Sequence, residues 1–183
     1  MNLMTPEAAL RLTPTAESAD TAVDILLYAI GDCALGNVLV ARGSKGVCAI
    51  LLGDDPSELA ADLARHFPKA TLVANAAIVH DDMAKIARYA DKPSEGLDLA
   101  LDIRGTPLQR RVWEKIRAIP VGKTMSCTQL ARLINGSYPR VAARVVANAC
   151  AANRLALALP CHRVIRADGY AAGDILAAEQ RMP

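Results

Sequence analysis

Five cysteines, Cys33, Cys48, Cys127, Cys150 and Cys161, and three histidines, His66, His80 and His162, are the side chains of this 183-residue sequence best suited to covalent or metal chemistry. The cysteines are odd in number and no pair has CxxC spacing, which argues against a disulfide framework and against a zinc ribbon. The histidines are too scattered for a ligand cluster, so no metal is expected. One position stands apart: Pro160-Cys161-His162-Arg163 follows the apolar run Leu155 to Leu159. A short buried strand stopped by proline would leave Cys161 at its tip, where backbone pairing ends and a ligand can approach. His162, Arg163 and Arg166 place positive charge beside that sulfur, and the thiolate, not the thiol, is the nucleophile. Neighbouring side chains of an extended segment diverge, so His162 would reach the sulfur through a water. On these residues alone two readings stay open, a nucleophile or one more buried small hydrophobe.

The elements that must position such a thiol fall into two groups. From Val23 the run VDILLYAI is strand-like, and NVLVARGSKGVCAILLG reads as two strands joined at Gly43 to Gly46. Asp55 or Ser57 can cap a helix over PSELAADLARHF, in which Leu59, Leu63 and Phe67 share one face. A strand ATLVA and a helix around DDMAKIARYADK complete an α/β unit over residues 21–93, after a leader at 1–20. Residues 94–105 read as a linker containing a short strand with Leu97, Leu99, Leu101 and Ile103 alternating. In the unit 106–183, Thr106, Pro107 and Gln109 open one helix, and Ser126 with Gln129 opens a second that stops at Asn135-Gly136. Pro139 starts a third, on which Arg140 and Arg144 share a face. Two short helices around a glycine-containing turn, the second basic, form a helix-turn-helix candidate, although helical domains that bind nothing show the same pattern.

Charge is divided unevenly between the two units. Ile103 to Arg166 holds twelve basic residues against Glu114 alone, a net +11, whereas residues 1–102 carry eight basic against fifteen acidic, a net −7. A segment this basic suits a polyanion, bound by phosphate neutralisation that weakens as salt rises, or else consists of ordinary solvated helix faces. No stretch of eighteen uninterrupted apolar residues occurs, and the N-terminus lacks the basic flank and apolar run of a secretory signal. The reading is therefore a cytoplasmic protein with no membrane partner.

Pro160 to Val164 (PCHRV), with GDCALGNVLVA, GVCAILLGDD, LDIRGTPLQRRVWEKIRAIPVGKTMS and NACAANRLALALPCHRVIRADG, resembles the O6-alkylguanine-DNA alkyltransferases, and among them the alkyltransferase region of the bacterial Ada-type members. The resemblance spans most of residues 26–170. It implies an α/β ribonuclease-H-like N-terminal domain and a mainly α, winged-helix-like C-terminal domain. It also implies transfer of an alkyl group from O6-alkylguanine, or O4-alkylthymine, to the protein's own cysteine, once per molecule and without a cofactor. The implied partner is double-stranded DNA and the implied state a monomer. On this resemblance Cys161 is the acceptor, His162 the base acting through water, and Asn153 the residue that orders the turn. Arg144 is the finger that fills the stack when the damaged nucleotide swings out. DNA contact is implied for Arg140, Ser126, Cys127, Gln129, Ala142 and Arg163 as well.

Departures from the family are visible. Cys127 stands where the family usually has a tyrosine, and cysteine is a shorter and weaker donor. AAGDILAAEQRMP replaces an SGYRWG-type segment, with Ala172, Asp174, Ile175 and Leu176 at altered positions. The family glutamate that orients the histidine falls past Pro183, and Glu179 is the expected substitute. Neither phosphotriester repair nor direct transcriptional activation is expected. The alternatives are a lesion-recognising or regulatory DNA-binding homologue with impaired transfer, and a thiol enzyme unrelated to DNA whose basic segment is incidental.

Overall fold

The computed structural model describes residues 24–135 and 142–172. The first half is a four-stranded sheet of β1 (Ile25–Cys33), β2 (Gly36–Gly43), β3 (Gly46–Gly53) and β4 (Thr71–Ala74), in the order β3-β2-β1-β4. β1, β2 and β3 form an antiparallel meander, and β4 returns parallel to β1. The period-two pattern of β2 sorts its side chains to opposite faces, Val38 and Val40 to one and Leu39 and Ala41 to the other. Helix α1 (Pro56–His66), capped by the Asp55 carboxylate on Ser57 N–H at 2.7 Å, lays Leu59 and Leu63 on the Leu39 face. Helix α2 (Ala76–Asp91) lays Val79 and Ile86 on the Val38 face. It begins earlier than the segment 81–92 read from sequence, because Asn75 Oδ1 caps the Ile78 N–H at 3.2 Å.

The second half is helical. Both predicted capping boxes are present, Thr106/Gln109 opening α3 (Pro107–Arg117) and Ser126/Gln129 opening α4 (Cys127–Ile134). α5 (Ala143–Ala151) follows. Pro139 and Arg140 lie outside the described residues, as do Asp174, Ile175, Leu176, Glu179 and the segment 1–20. Two short parallel strands, β5 (Met125–Ser126) and β6 (Val164–Ile165), join the start of α4 to the segment after Cys161.

The expected linker is part of the core. Leu97, Leu99 and Leu101 are buried, and the segment pairs with β3 through Val47 N–H on Ala100 O and Asp102 N–H on Val47 O, both 2.8 Å. Only a single bridge, Val47 to Leu101, forms there, not a strand. One continuous cluster runs from Val38 and Ile50 of the sheet through Leu101 to Trp113, Leu130, Val146 and Cys161. Thus the two halves, separable in sequence, share one core. Among the described residues no helix is long and apolar enough to cross a membrane.

Candidate active site

Residues 152–163 form a compact turn, not the short buried strand expected from the apolar run Leu155 to Leu159. Leu155, Leu157 and Leu159 are all buried, but the backbone between them turns, and Leu157 has φ +66°, in the left-handed region that a branched side chain avoids. The apolar run misled because a bent backbone buries Leu155, Leu157, Ala158 and Leu159 without any strand. Non-glycine residues held there cost roughly 1 kcal/mol or more and persist where the surroundings over-determine them.

Two sets of bonds supply that constraint. The free edge of β3 grips the turn from outside, Ile50 N–H donating to Arg154 O at 2.8 Å and Ala156 N–H to Ile50 O at 3.0 Å. Asn153 grips it from inside. Its Oδ1 accepts from Leu155 N–H at 2.8 Å, and its Nδ2 donates to Leu159 O at 2.9 Å and to Cys161 Sγ at 3.4 Å. The backbone partners settle which end of the amide faces sulfur, so the sulfur receives an N–H, the contact that favours a thiolate. Asn153 is brought to Cys161 as the sequence led one to expect.

Burial pushes Cys48 up to about 12, and burial also raises Cys33 and Cys127. All three disfavour the reactive form.

Cys161 opens a 3-10 turn, Cys161–Arg163, and is 3% exposed, so the open strand tip does not exist. A base edge stacked in a duplex cannot touch a sulfur so covered. Anything that reacts with it must enter the protein. A cavity of about 140 Å³ lined by Trp113, Asn153, Leu155 and Leu159 lies behind the turn, and Cys161 does not line it.

Neither ring nitrogen of His162 has a hydrogen-bond partner among the described residues. Burial first, and then the charge of Arg163, hold its pKa down at about 4, so the imidazole is neutral and able to accept a proton at neutral pH. This has a consequence for stability. The unfolded chain protonates this histidine near 6.5 and the folded one only near 4, so in that window unfolding takes up a proton. Stability should therefore fall as pH drops from about 6.5 to about 4, by up to about 3 kcal/mol from this residue. Thermal unfolding of His162→Gln should lose less over that range than the parent does. Parallel curves would contradict the assignment.

The residues expected at a DNA surface divide. Ala142 and Arg144 are exposed at the start of α5, and Gln129 is exposed on the first turn of α4 beside Ser126, whose hydroxyl accepts from Gln129 N–H at 3.1 Å. Cys127 and Arg163 are buried, at 4% and 6% exposure, and cannot lie on a DNA-facing surface as expected. Arg163 turns inward, Nη1 donating to Ile119 O at 2.9 Å.

Three contributors had no signature in the sequence. Ile50 and Ile119 act through backbone atoms, which carry no residue code. Trp113, the single tryptophan, was legible only as a large apolar residue; its Nε1–H donates to Ala149 O at 2.8 Å and pins α3 to α5 beside the turn.

Residues 107–182 match the family model described as "6-O-methylguanine DNA methyltransferase, DNA binding domain". Over 146 residues the chain is 44% identical to "Bifunctional transcriptional activator/DNA repair enzyme Ada" of Escherichia coli, covering 80% of this chain and 40% of that protein. It is 32% identical to "Methylated-DNA–protein-cysteine methyltransferase" of Candida albicans, covering 81% of this chain and 87% of that one. Among solved structures it resembles Mycobacterium tuberculosis O6-methylguanine methyltransferase, with TM-score 0.59, 28% identity, and coverage of 79% and 81%. M. tuberculosis OGT in complex with DNA gives TM-score 0.57 and 26% identity, with coverage of 81% and 84%. The chain thus spans well under half the length of the Escherichia coli relative.

Proposed function

Because the chain belongs to the methylated-DNA–protein-cysteine methyltransferase family, we propose that it is a DNA-repair protein that takes the alkyl group of O6-alkylguanine, or O4-alkylthymine, onto Cys161 in a single turnover. The observation that carries the proposal is the Asn153 N–H on Cys161 Sγ, in a chain where burial disfavours the thiolate at Cys33, Cys48 and Cys127. The thiol proton passes through water to neutral His162. The thiolate then attacks the alkyl carbon in line; the S–C bond forms as the C–O6 bond breaks. The electron pair goes to O6, the guanine takes up a proton, and the thioether is too stable to hydrolyse. The cover over Cys161 supports eversion of the damaged base into the protein. Arg144, exposed near the start of α5, would fill the space left behind, and Ala142, Gln129, Ser126 and Arg140 would flank it. Glu179 remains the candidate to orient His162.

The same proposal includes a ribonuclease-H-like fold for 21–93, supported by the meander with a parallel fourth strand. It includes a winged-helix-like fold for 106–183, supported by α3, α4 and α5 with the small β5/β6 sheet. Residues 94–105 connect them. The protein acts as a cytoplasmic monomer on double-stranded DNA.

Intact-protein and peptide mass spectrometry after incubation with a duplex containing O6-methylguanine should show a gain of one methyl on the peptide bearing Cys161. Salt-sensitive binding without that gain would leave only a lesion-binding homologue, and no binding would leave a thiol enzyme of another kind.

A further inference from the structure

Three charged side chains are buried among the described residues, Asp82, Asp102 and Arg163. Asp82 is paired with Arg42 and Asp102 with Arg104, each at 2.7 Å. Arg163 has no carboxylate within ion-pair distance among the described residues; Nη1 reaches only the Ile119 carbonyl and Nε has no partner. Burying a charge is tolerated when it is paired, and an unpaired guanidinium inside a protein has to be offset by something nearby.

Among the described residues its surroundings do not supply an ordinary counterion. On α3, packed against this turn, the charges are Arg110, Arg111, Glu114, Lys115 and Arg117, and Glu114 is held by Arg111 at 2.9 Å. After the turn, Asp168 is held by Arg166 at 2.9 Å. On the preceding side, Arg154 donates to the carbonyls of Ala151 and Asn153. The two carboxylates within reach of these elements are thus engaged by other arginines. Among the described residues, the group left to carry negative charge is Cys161, in the same 3-10 turn as Arg163.

We propose that Arg163 is a positioning residue for the acceptor: tied to the Ile119 carbonyl, it locks the Cys161–Arg163 turn against the end of α3 and lays a permanent positive charge behind the sulfur, so that the thiolate is its counterion. This rests on Cys161 being the acceptor. Arg163 also keeps His162 neutral, since after burial it is the charge that acts on that ring. A guanidinium suits the place better than an ammonium would, because it is more weakly hydrated and cannot be deprotonated.

The test needs no DNA. The ultraviolet absorbance of the thiolate, read as the difference between each protein and its Cys161→Ser counterpart, gives the titration of this sulfur alone. In the parent the midpoint should lie below the ordinary thiol value of about 8.5. In Arg163→Met it should rise by about one pH unit or more, leaving about tenfold less thiolate at neutral pH, while Arg163→Lys stays near the parent. Near-ultraviolet circular dichroism of Trp113 confirms that each variant is folded. A parent midpoint at or above the ordinary value overturns the proposal even if no variant folds. So does a folded Arg163→Met with the parent's midpoint, or equal rises in the lysine and methionine variants. A parent that accepts methyl yet titrates as an ordinary thiol removes the role of Arg163 and leaves the acceptor standing; a low midpoint without methyl uptake removes the repair reading instead.

Discussion

Asn153→Ala should remove about 3 kcal/mol of stability and slow alkyl transfer at least about 100-fold. The substitution strands Leu155 N–H and Leu159 C=O inside the turn, and each backbone group buried without a partner costs roughly 1–3 kcal/mol. It also takes the donor from Cys161 Sγ. Leu157, at φ +66°, is then no longer constrained from inside, and relaxation of its backbone moves the cysteine that follows. Displacing a reacting atom by about 1 Å is enough for a loss of about 100-fold. Duplex binding should change little, because Arg144 lies on α5 and Ala142 at its N-cap, before the turn. Asn153→Asp keeps the acceptor for Leu155 N–H but sets a carboxylate against the sulfur, so its transfer at neutral pH should be as slow or slower. Thermal unfolding and single-turnover methyl transfer measure both effects; an alanine variant with the parent's melting temperature and rate would refute the role given to Asn153.

Gly46→Ala should destabilise the whole chain by more than about 3 kcal/mol. Gly46 has φ +135°, and a Cβ there would stand 2.4 Å from Ala100 O and 2.9 Å from Ala100 C, both backbone atoms. The neighbouring chain cannot withdraw, because Val47 holds it twice, its N–H donating to Ala100 O and its C=O accepting from Asp102 N–H. The damage reaches the active site through β3, whose Ile50 holds the acceptor turn at Arg154 and Ala156. Transfer activity should accordingly fall together with stability. Gly122→Ala is the control: φ is +73° but nothing lies within 4 Å of the added carbon, so only the backbone cost of about 1 kcal/mol applies. Urea midpoints that coincide for the two variants would show that the contact with Ala100 does not matter.

Much of the frame was legible because its signals are local. Thr106/Gln109 and Ser126/Gln129 announce helix starts through bonds three residues apart, and both boxes form. The turn at Gly43 to Gly46 and the strands flanking it are likewise short-range features. Cys161 and Asn153, eight residues apart, were also named as candidates from the chain through the resemblance that PCHRV and NACAANRLALALP carry, and the structure brings the asparagine amide to the sulfur. The apolar run before Cys161 misled because a stretch of apolar residues reports burial and not backbone shape, and in this turn leucines on a bent backbone are buried without any strand. The basic count misled at Arg163 for a related reason: charge along a chain says nothing about which way a guanidinium points, and this one points inward to Ile119.

By itself, then, the order of residues determined the starts of α3 and α4 and the sheet hairpin, and it singled out Cys161 and Asn153 as candidates, since each is written within a few positions of chain. Only the tertiary structure decided that residues 97–101 belong to the core, that the edge of β3 clasps the turn before Cys161, that Arg163 lies buried on the Ile119 carbonyl with no carboxylate partner among the described residues, and that the sulfur is covered. Those facts depend on backbone groups and buried faces that meet across tens of residues, and a carbonyl or an N–H looks the same in every residue but proline.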